Sequence, residues 1–293
     1  MGDSPHYINY VEYFRGNQDL KQVPIPFRYR PVVPFIASLL PFKNPMTAIN
    51  VLNLIFLFLI LFFLFRLLVI LKFDFWYALL GCYLFTISFP TFYYSTVGGL
   101  NTGLIFLLVL GTYLIYKESW FGLGLVLLVG SLVKETVVLL IPISLSFFIA
   151  THKSWKLKIL LLLMAYLIPS FLIHWVFRTE GGYLWFPSIE YILGNLRFRA
   201  VLGLLLTFGL PGLLSLLFLY NFRNFKILIP REFYLPLLTG SLFSFLLALY
   251  SFLTAYLSGR FLWPIIIYTI PLALWAIKYM QKFKVKVKEF KAE

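Results

Sequence analysis

Long apolar runs alternate along the chain with short breaks that are basic, aromatic or rich in proline and glycine. A helix that crosses a hydrocarbon core of roughly 30 Å needs about 20 mostly apolar residues. Thr47–Leu71, Phe75–Tyr94, Leu100–Tyr116, Lys156–Phe177, Val201–Tyr220, Tyr234–Leu257 and Phe261–Tyr279 are runs of this kind. The run Phe121–Ala150 differs, because one straight helix of that length extends about 45 Å. It also carries Lys134 and Glu135 in its middle, where a charge costs about 2.5–3.5 kcal/mol on the insertion scale. Two shorter helices meeting at Lys134-Glu135 avoid that cost. The pattern predicts an all-α fold: a polytopic transmembrane helix bundle of about nine hydrophobic helices, including a short-helix hairpin at 121–150. Pro90, Pro142, Pro169, Pro211 and Pro264 fall within or beside the runs and predict kinks.

Basic residues test the hairpin independently. Lys282, Lys284, Lys286, Lys288 and Lys291 follow the last run and place the C-terminus in the cytoplasm. Counting backwards, the turn Ser258-Gly259-Arg260 is outer, the break with Arg223, Lys226 and Arg231 inner, the break 178–200 outer, and that with Lys153, Lys156 and Lys158 inner. Counting forwards from an outer 1–45 segment, Lys72 is inner, Ser95–Gly99 outer and Lys117 inner. The run 121–150 must then begin and end on the inner side, which only a hairpin with Lys134 and Glu135 at its outer tip allows. Trp76, Trp120, Trp155, Trp175, Trp263 and Trp275 lie near run ends, where indole favours the interface.

Composition supports the same class. Of the 293 residues 61% are hydrophobic and 12% charged, and mean hydropathy is +0.90; soluble proteins carry roughly a quarter charged residues. Too few polar residues remain to coat a soluble fold, so soluble enzymes and disordered chains are excluded. The single cysteine, Cys82, excludes an internal disulfide scaffold and sits in an apolar run as a packing residue. The net charge of +14 gathers on inner breaks and tail, which fits anionic membrane lipids and not nucleic acid. The chain divides into an outer-face loop at 1–45, a transmembrane helical domain at 46–279 and a basic cytoplasmic tail at 280–293. An outward basic segment (Arg15, Lys21, Arg28, Arg30, Lys43) runs against the positive-inside bias. That predicts one further apolar helix upstream in the natural protein.

Four polar groups fall on the outer face of this topology: Asp3, His6 and Tyr7, followed by Tyr10 and Glu12; Arg28 and Arg30; Lys134-Glu135-Thr136; and Ser258-Gly259-Arg260-Phe261. Asp3 among aromatic neighbours at a membrane surface is partly desolvated, which makes a carboxylate a better base. Arg28, Arg30, Lys134 and Arg260 suit a lipid phosphate, and their bonds strengthen as a leaving group gains charge. Plain structural readings stand beside these. Asp3 can cap the segment Pro5–Phe14, His6 can be a surface group, and the arginines can be interface anchors. Lys134 and Glu135 can compensate each other, and Arg260 can cap helix ends. Arg66 snorkels inward, Glu180, Glu190, Arg197 and Arg199 are solvated, and His152 and His174 are structural. No phosphate-cradling glycine loop, zinc spacing or nucleophile elbow is present, and Gly98-Gly99 is too short to count as one.

The order of these groups resembles the GT-C class of polytopic glycosyltransferases, which includes protein mannosyltransferases and lipid A aminoarabinose transferases. Gly2-Asp3-Ser4-Pro5-His6-Tyr7 is similar to the early outer-loop Asp with a following aromatic. Arg30-Pro31-Val32-Val33-Pro34 is similar to an Arg-x-x-x-Pro element. Leu127 to Thr136, with Gly130 and Lys134-Glu135-Thr136 ahead of Pro142, is similar to a mid-chain Lys/Arg-Glu-Thr segment, and Arg260-Phe261-Leu262-Trp263-Pro264 to a late Arg-aromatic-x-x-Pro. The resemblance implies inverting transfer of a sugar from a polyprenyl-phosphate carrier to a lipid, glycan or protein acceptor on the outer face of a cell membrane. Asp3 is then the base, and Lys134 and Arg260, with Arg28 or Arg30, bind the carrier phosphate, beside His6, Tyr7 and Glu135. The chain departs from the class in three ways. Ser95–Asn101 lacks the second acid that a divalent metal would use, so no cofactor is called for; the helix before the first Asp is absent; and no soluble domain follows the last helix, which leaves acceptor recognition to 1–45 and 178–200. Two other classes compete: a transporter or lipid flippase, which places charges at the midplane and often repeats its halves, and an inactive relative acting as a scaffold.

Overall fold

The computed structural model describes residues 4–96, 101–177, 186–255 and 259–290, and among them it is helical with no strand. Asp3, Gly98, Gly99, Glu180, Ser258 and Lys291, named above, lie outside the described residues. Two short helices, α1 (Ser4–Phe14) and α2 (Val32–Ser38), lead into α3 (Pro45–Ile70). The Asn44 side chain accepts from the Met46 amide and Pro45 takes the first helical position, two features that start a helix locally. Asp74 caps α4 (Phe75–Thr86) by accepting from the Tyr77 amide. The predicted run Phe75–Tyr94 is therefore two helices, α4 and α5 (Phe89–Thr96), bent by 52° at Ile87 and Ser88, just ahead of Pro90 in the first turn of α5.

Next come α6 (Asn101–Tyr116), α7 (Trp120–Ser131), α8 (Leu140–Thr151) and α9 (Lys156–Val176), the last with Pro169 inside it. The run 121–150 is a helical hairpin: α7 and α8 are joined by a tip in which Lys134 is extended and residues Glu135–Leu139 form a 3₁₀ turn. Tight approach at this tip needs a residue without a side chain, since a Cβ on Gly130 would lie 2.7 Å from Val137. The chain closes with α10 (Ile189–Asn195), α11 (Phe198–Tyr220), α12 (Phe222–Leu228), α13 (Arg231–Thr254) and α14 (Ile265–Phe290).

Among the described residues four helices, α3, α9, α11 and α13, are long and apolar enough to cross a membrane, and the bent pair α4–α5 makes a fifth candidate. The remaining predicted spans are helices of 10–17 apolar residues, too short to match a hydrocarbon core alone. Their position explains this. Within α6, 11 of 16 residues are buried, from Thr102 to Tyr116. The first two turns of α14 are buried on all sides. Helices wrapped by protein, as these and α8 are, need not match the thickness of lipid, whereas α7 leaves Phe121, Leu125 and Leu128 exposed. The long helices form the wrapping and keep Leu and Phe outward: only 11% of the most apolar stretch of α9 is buried. Of the six tryptophans placed near run ends, two depart from the interface expectation, because Trp263 is fully buried and Trp275 nearly so. Trp76 and Trp175 remain well exposed.

The bundle has two chemically distinct ends. At one, Lys153 pairs with Glu118 at 2.5 Å, Lys158 lies 5.4 Å from both the Trp120 and Phe148 rings, and Lys278 caps Phe73 and Tyr77. The other end gathers the 132–139 tip, the segment 20–31, the start of α6 and the turn before α14. Every one of these contacts joins segments that the charge pattern assigns to one face.

Candidate functional site

The tip end collects polar side chains from far apart in the chain. Arg30 follows a 3₁₀ turn, Phe27–Tyr29, which aims its side chain at the hairpin tip. Its Nη2 donates to Glu135 Oε2 at 2.9 Å and to Oε1 at 3.3 Å, and its Nε also donates to Oε1. The Nη1 atom donates to the Tyr7 hydroxyl at 3.3 Å, so α1, the 20–31 segment and the tip meet at one guanidinium. Arg30 is 11% exposed and Glu135 41%. Burial alone lowers the Arg30 value, but Tyr7 and Glu135 outweigh it and hold the guanidinium firmly charged. Burial likewise pushes the Glu135 carboxyl up, and Arg30, its own backbone amide and Lys134 bring it net below the usual carboxylate range.

Lys134 faces the start of α6: Nζ donates to Asn101 Oδ1 at 2.6 Å and sits 5.9 Å from the Phe261 ring centre. The Arg260 guanidinium lies 5.2 Å from the same ring, so one aromatic ring has two cations near it, from opposite halves of the chain. The turn that carries Arg260 is locked in place. A Cβ on Gly259 would collide with Thr207 Oγ1 and lie 2.7 Å from the Tyr94 hydroxyl and 2.8 Å from the Gly203 carbonyl.

Five of the sequence-derived candidates, Tyr7, Arg30, Lys134, Glu135 and Arg260, thus form one constellation. Two others do not join it. Arg28 turns back on its own loop, its Nη2 donating to the Lys21 carbonyl at 3.1 Å and its Nε to that of Val23. There it braces the segment that presents Arg30. His6 stacks on Phe27 at 4.5 Å, while Tyr7 meets the edge of the same ring at 5.1 Å. Tyr10, whose hydroxyl donates to the Arg28 carbonyl, is held above its usual range by burial and by Tyr13. Asp3 precedes the described residues by one position.

Beneath the constellation lies a cavity of about 940 Å³. Arg30, Lys134, Glu135 and Thr136 stand at its polar end. It is also lined by Val138, Leu139 and Pro142 of the tip and α8, by Phe243, Leu246 and Leu247 of α13, and by Tyr166 and His174 of α9. The Tyr166 hydroxyl donates to the Glu135 carbonyl at 3.1 Å and fastens α9 to the tip. Apolar walls under a cationic head match an amphiphile with an anionic head. Among the described residues no three His, Cys, Asp or Glu side chains are placed to hold a metal ion.

Sequence reasoning did not single out Asn101 or Tyr166, and it read His174 as structural; all three lie beside the constellation or line the cavity. Each is a polar side chain at the start of, or inside, an otherwise apolar helix, and that rarity was the available signal. The chain matches no family model, no curated protein and no solved structure.

Proposed function

We propose that this chain is an integral membrane glycosyltransferase of the GT-C type, moving a sugar from a polyprenyl-phosphate carrier to an acceptor at the outer face of a cell membrane, with the C-terminus cytoplasmic. One observation carries the reading: an apolar cavity of lipid-like character ends beneath Arg30 and Lys134, with Arg260 alongside. The carrier's hydrocarbon lies along α8, α9 and α13, and its phosphate meets the cations.

In the chemistry this supports, Asp3 takes the proton from an acceptor hydroxyl. The freed oxygen pair attacks the anomeric carbon opposite the phosphate, and the bond to the carrier breaks with its electrons on phosphate oxygen. Lys134, Arg30 and Arg260 offset the charge that develops there. Glu135 orients Arg30 through its two-oxygen fork.

The test is mass spectrometry of envelope lipids and glycans from cells with the gene, without it, and with Asp3→Asn. Loss of the same sugar in the last two supports the reading. An unchanged profile in cells lacking the gene overturns it, and a normal profile with Asp3→Asn removes Asp3 as the base.

A further inference from the structure

His174 sits near the end of α9, in a wall that is otherwise apolar apart from Tyr166. Its ring is fixed twice. Nδ1 lies 2.6 Å from the Ser170 carbonyl one turn earlier. A carbonyl oxygen only accepts, so Nδ1 carries the hydrogen and the neutral ring keeps its lone pair on Nε2, at the edge turned away from the helix backbone. One ring face is covered by Tyr29, with centroids 4.0 Å apart and planes at 28°. A hydrogen-bond acceptor is therefore oriented before any ligand arrives, which reduces the ordering cost of binding.

The titratable groups sharing this cavity are Arg30, Lys134, Glu135, Tyr29, Tyr166 and Tyr250. Arg30 and Lys134 are donors only. Both Glu135 oxygens accept from Arg30. The Glu135 carboxylate is turned to Arg30 at the polar cluster, and an imidazole nitrogen is a stronger acceptor than a phenol oxygen, so Nε2 is the strongest acceptor that α9 brings to the cavity. We infer that His174 Nε2 accepts a hydrogen bond from a hydroxyl or amine on the head of the bound lipid, so that the cavity selects a glycosylated lipid phosphate over the bare one. This rests on the function proposed above and adds the residue that reads the transferred group. A fully ionised polyprenyl phosphate offers Nε2 no donor and its monoanion a single P–OH, whereas a sugar phosphodiester offers several hydroxyls.

The experiment measures binding of polyprenyl monophosphate and of its glucosyl, mannosyl and aminoarabinosyl esters to the full chain in nanodiscs, with three proteins: the natural chain, His174→Phe and His174→Gln. Phenylalanine keeps the stack on Tyr29 and removes the acceptor. Glutamine restores an acceptor oxygen. The natural chain binds at least one glycosyl ester more tightly than the bare lipid. His174→Phe loses about tenfold on that ester with the bare lipid unchanged, and His174→Gln recovers part of the loss. Equal loss on both lipids assigns His174 to the phosphate or to packing and overturns the inference, as does no loss on either. Failure of the natural chain to bind any of the four lipids overturns the proposed function itself, and the inference with it.

Discussion

Arg30 and Arg28 are two residues apart with the same side chain, and the fold gives them different work. The 3₁₀ turn at Phe27–Tyr29 sends Arg30 to the hairpin tip, while Arg28 closes its own loop. Spacing alone does not reveal this, because the direction of each side chain depends on a tertiary turn. What was legible at this scale was the oddity of ions in an apolar chain, which marked Lys134 and Glu135 but passed over His174. The Arg30–Glu135 pair makes a pH-dependent prediction. The folded Glu135 carboxyl is depressed, so its contribution to stability is fully present above its unfolded value of about 4.3 and is lost as pH falls through the lower folded value. Glu135→Gln removes the charge while Arg30 stays nearly buried, at an expected cost of about 1–2 kcal/mol after allowance for the carboxylate's exposure. Thermal unfolding in detergent should show a lower Tm for Glu135→Gln at pH 7 and a gap that shrinks below pH ~4; a gap independent of pH contradicts the pairing. Lys134→Gln keeps a donor for Asn101 but removes the charge, and should weaken binding of polyprenyl monophosphate by about tenfold or more. Undiminished binding by that variant would take Lys134 out of the phosphate site.

Elements were legible where length and charge disagreed. The 121–150 run was too long for one span and carried ions at its centre, and it is a hairpin with those ions at the tip. The bend just before Pro90 was signalled by the proline, but the shortness of α6 and of the apolar part of α14 was not. Hydropathy reports how apolar a segment is, and a helix buried in protein is as apolar as one facing lipid. Trp263 and Trp275 mislead for the same reason, since a core indole and an interfacial one read alike in sequence. The turn before α14 shows an element held by a missing side chain. Gly259→Ala pushes a methyl group into Thr207, Tyr94 and the Gly203 backbone, with an expected cost of about 1–3 kcal/mol and displacement of Arg260. Adding Thr207→Ala should recover only part of the loss in Tm, because the Gly203 carbonyl and the Tyr94 ring remain. A Gly259→Ala protein that unfolds at the natural Tm would mean that this turn is not wedged between α5 and α11.

Across the whole molecule, contact and charge pattern divide the bundle in the same way. Tyr7, Arg30, Lys134, Glu135, Arg260 and Phe261 meet at one end, and Glu118, Lys153, Lys158 and Lys278 gather at the other. The alternation of inner and outer breaks comes from charge and order along the chain, and these contacts from distances in the fold, so the two agree on separate grounds. The lipid-facing shell explains the rest of the composition. Long helices turn Leu and Phe outward, and the ionic groups withdraw to the ends, where water or headgroups reach them. The proposed function needs this division to coincide with the two sides of a membrane. Replacing Cys82 by alanine leaves a chain without cysteine, into which Asn17→Cys or Lys43→Cys can be placed at the constellation's end and Lys153→Cys or Lys226→Cys at the other. With intact cells, an impermeant maleimide should label Asn17→Cys and Lys43→Cys, and should reach Lys153→Cys and Lys226→Cys only after the membrane is opened. Labelling of Asn17→Cys and Lys153→Cys from one side would place both ends of the bundle in one compartment. The cavity's cationic head would then have no defined face from which to meet a lipid carrier.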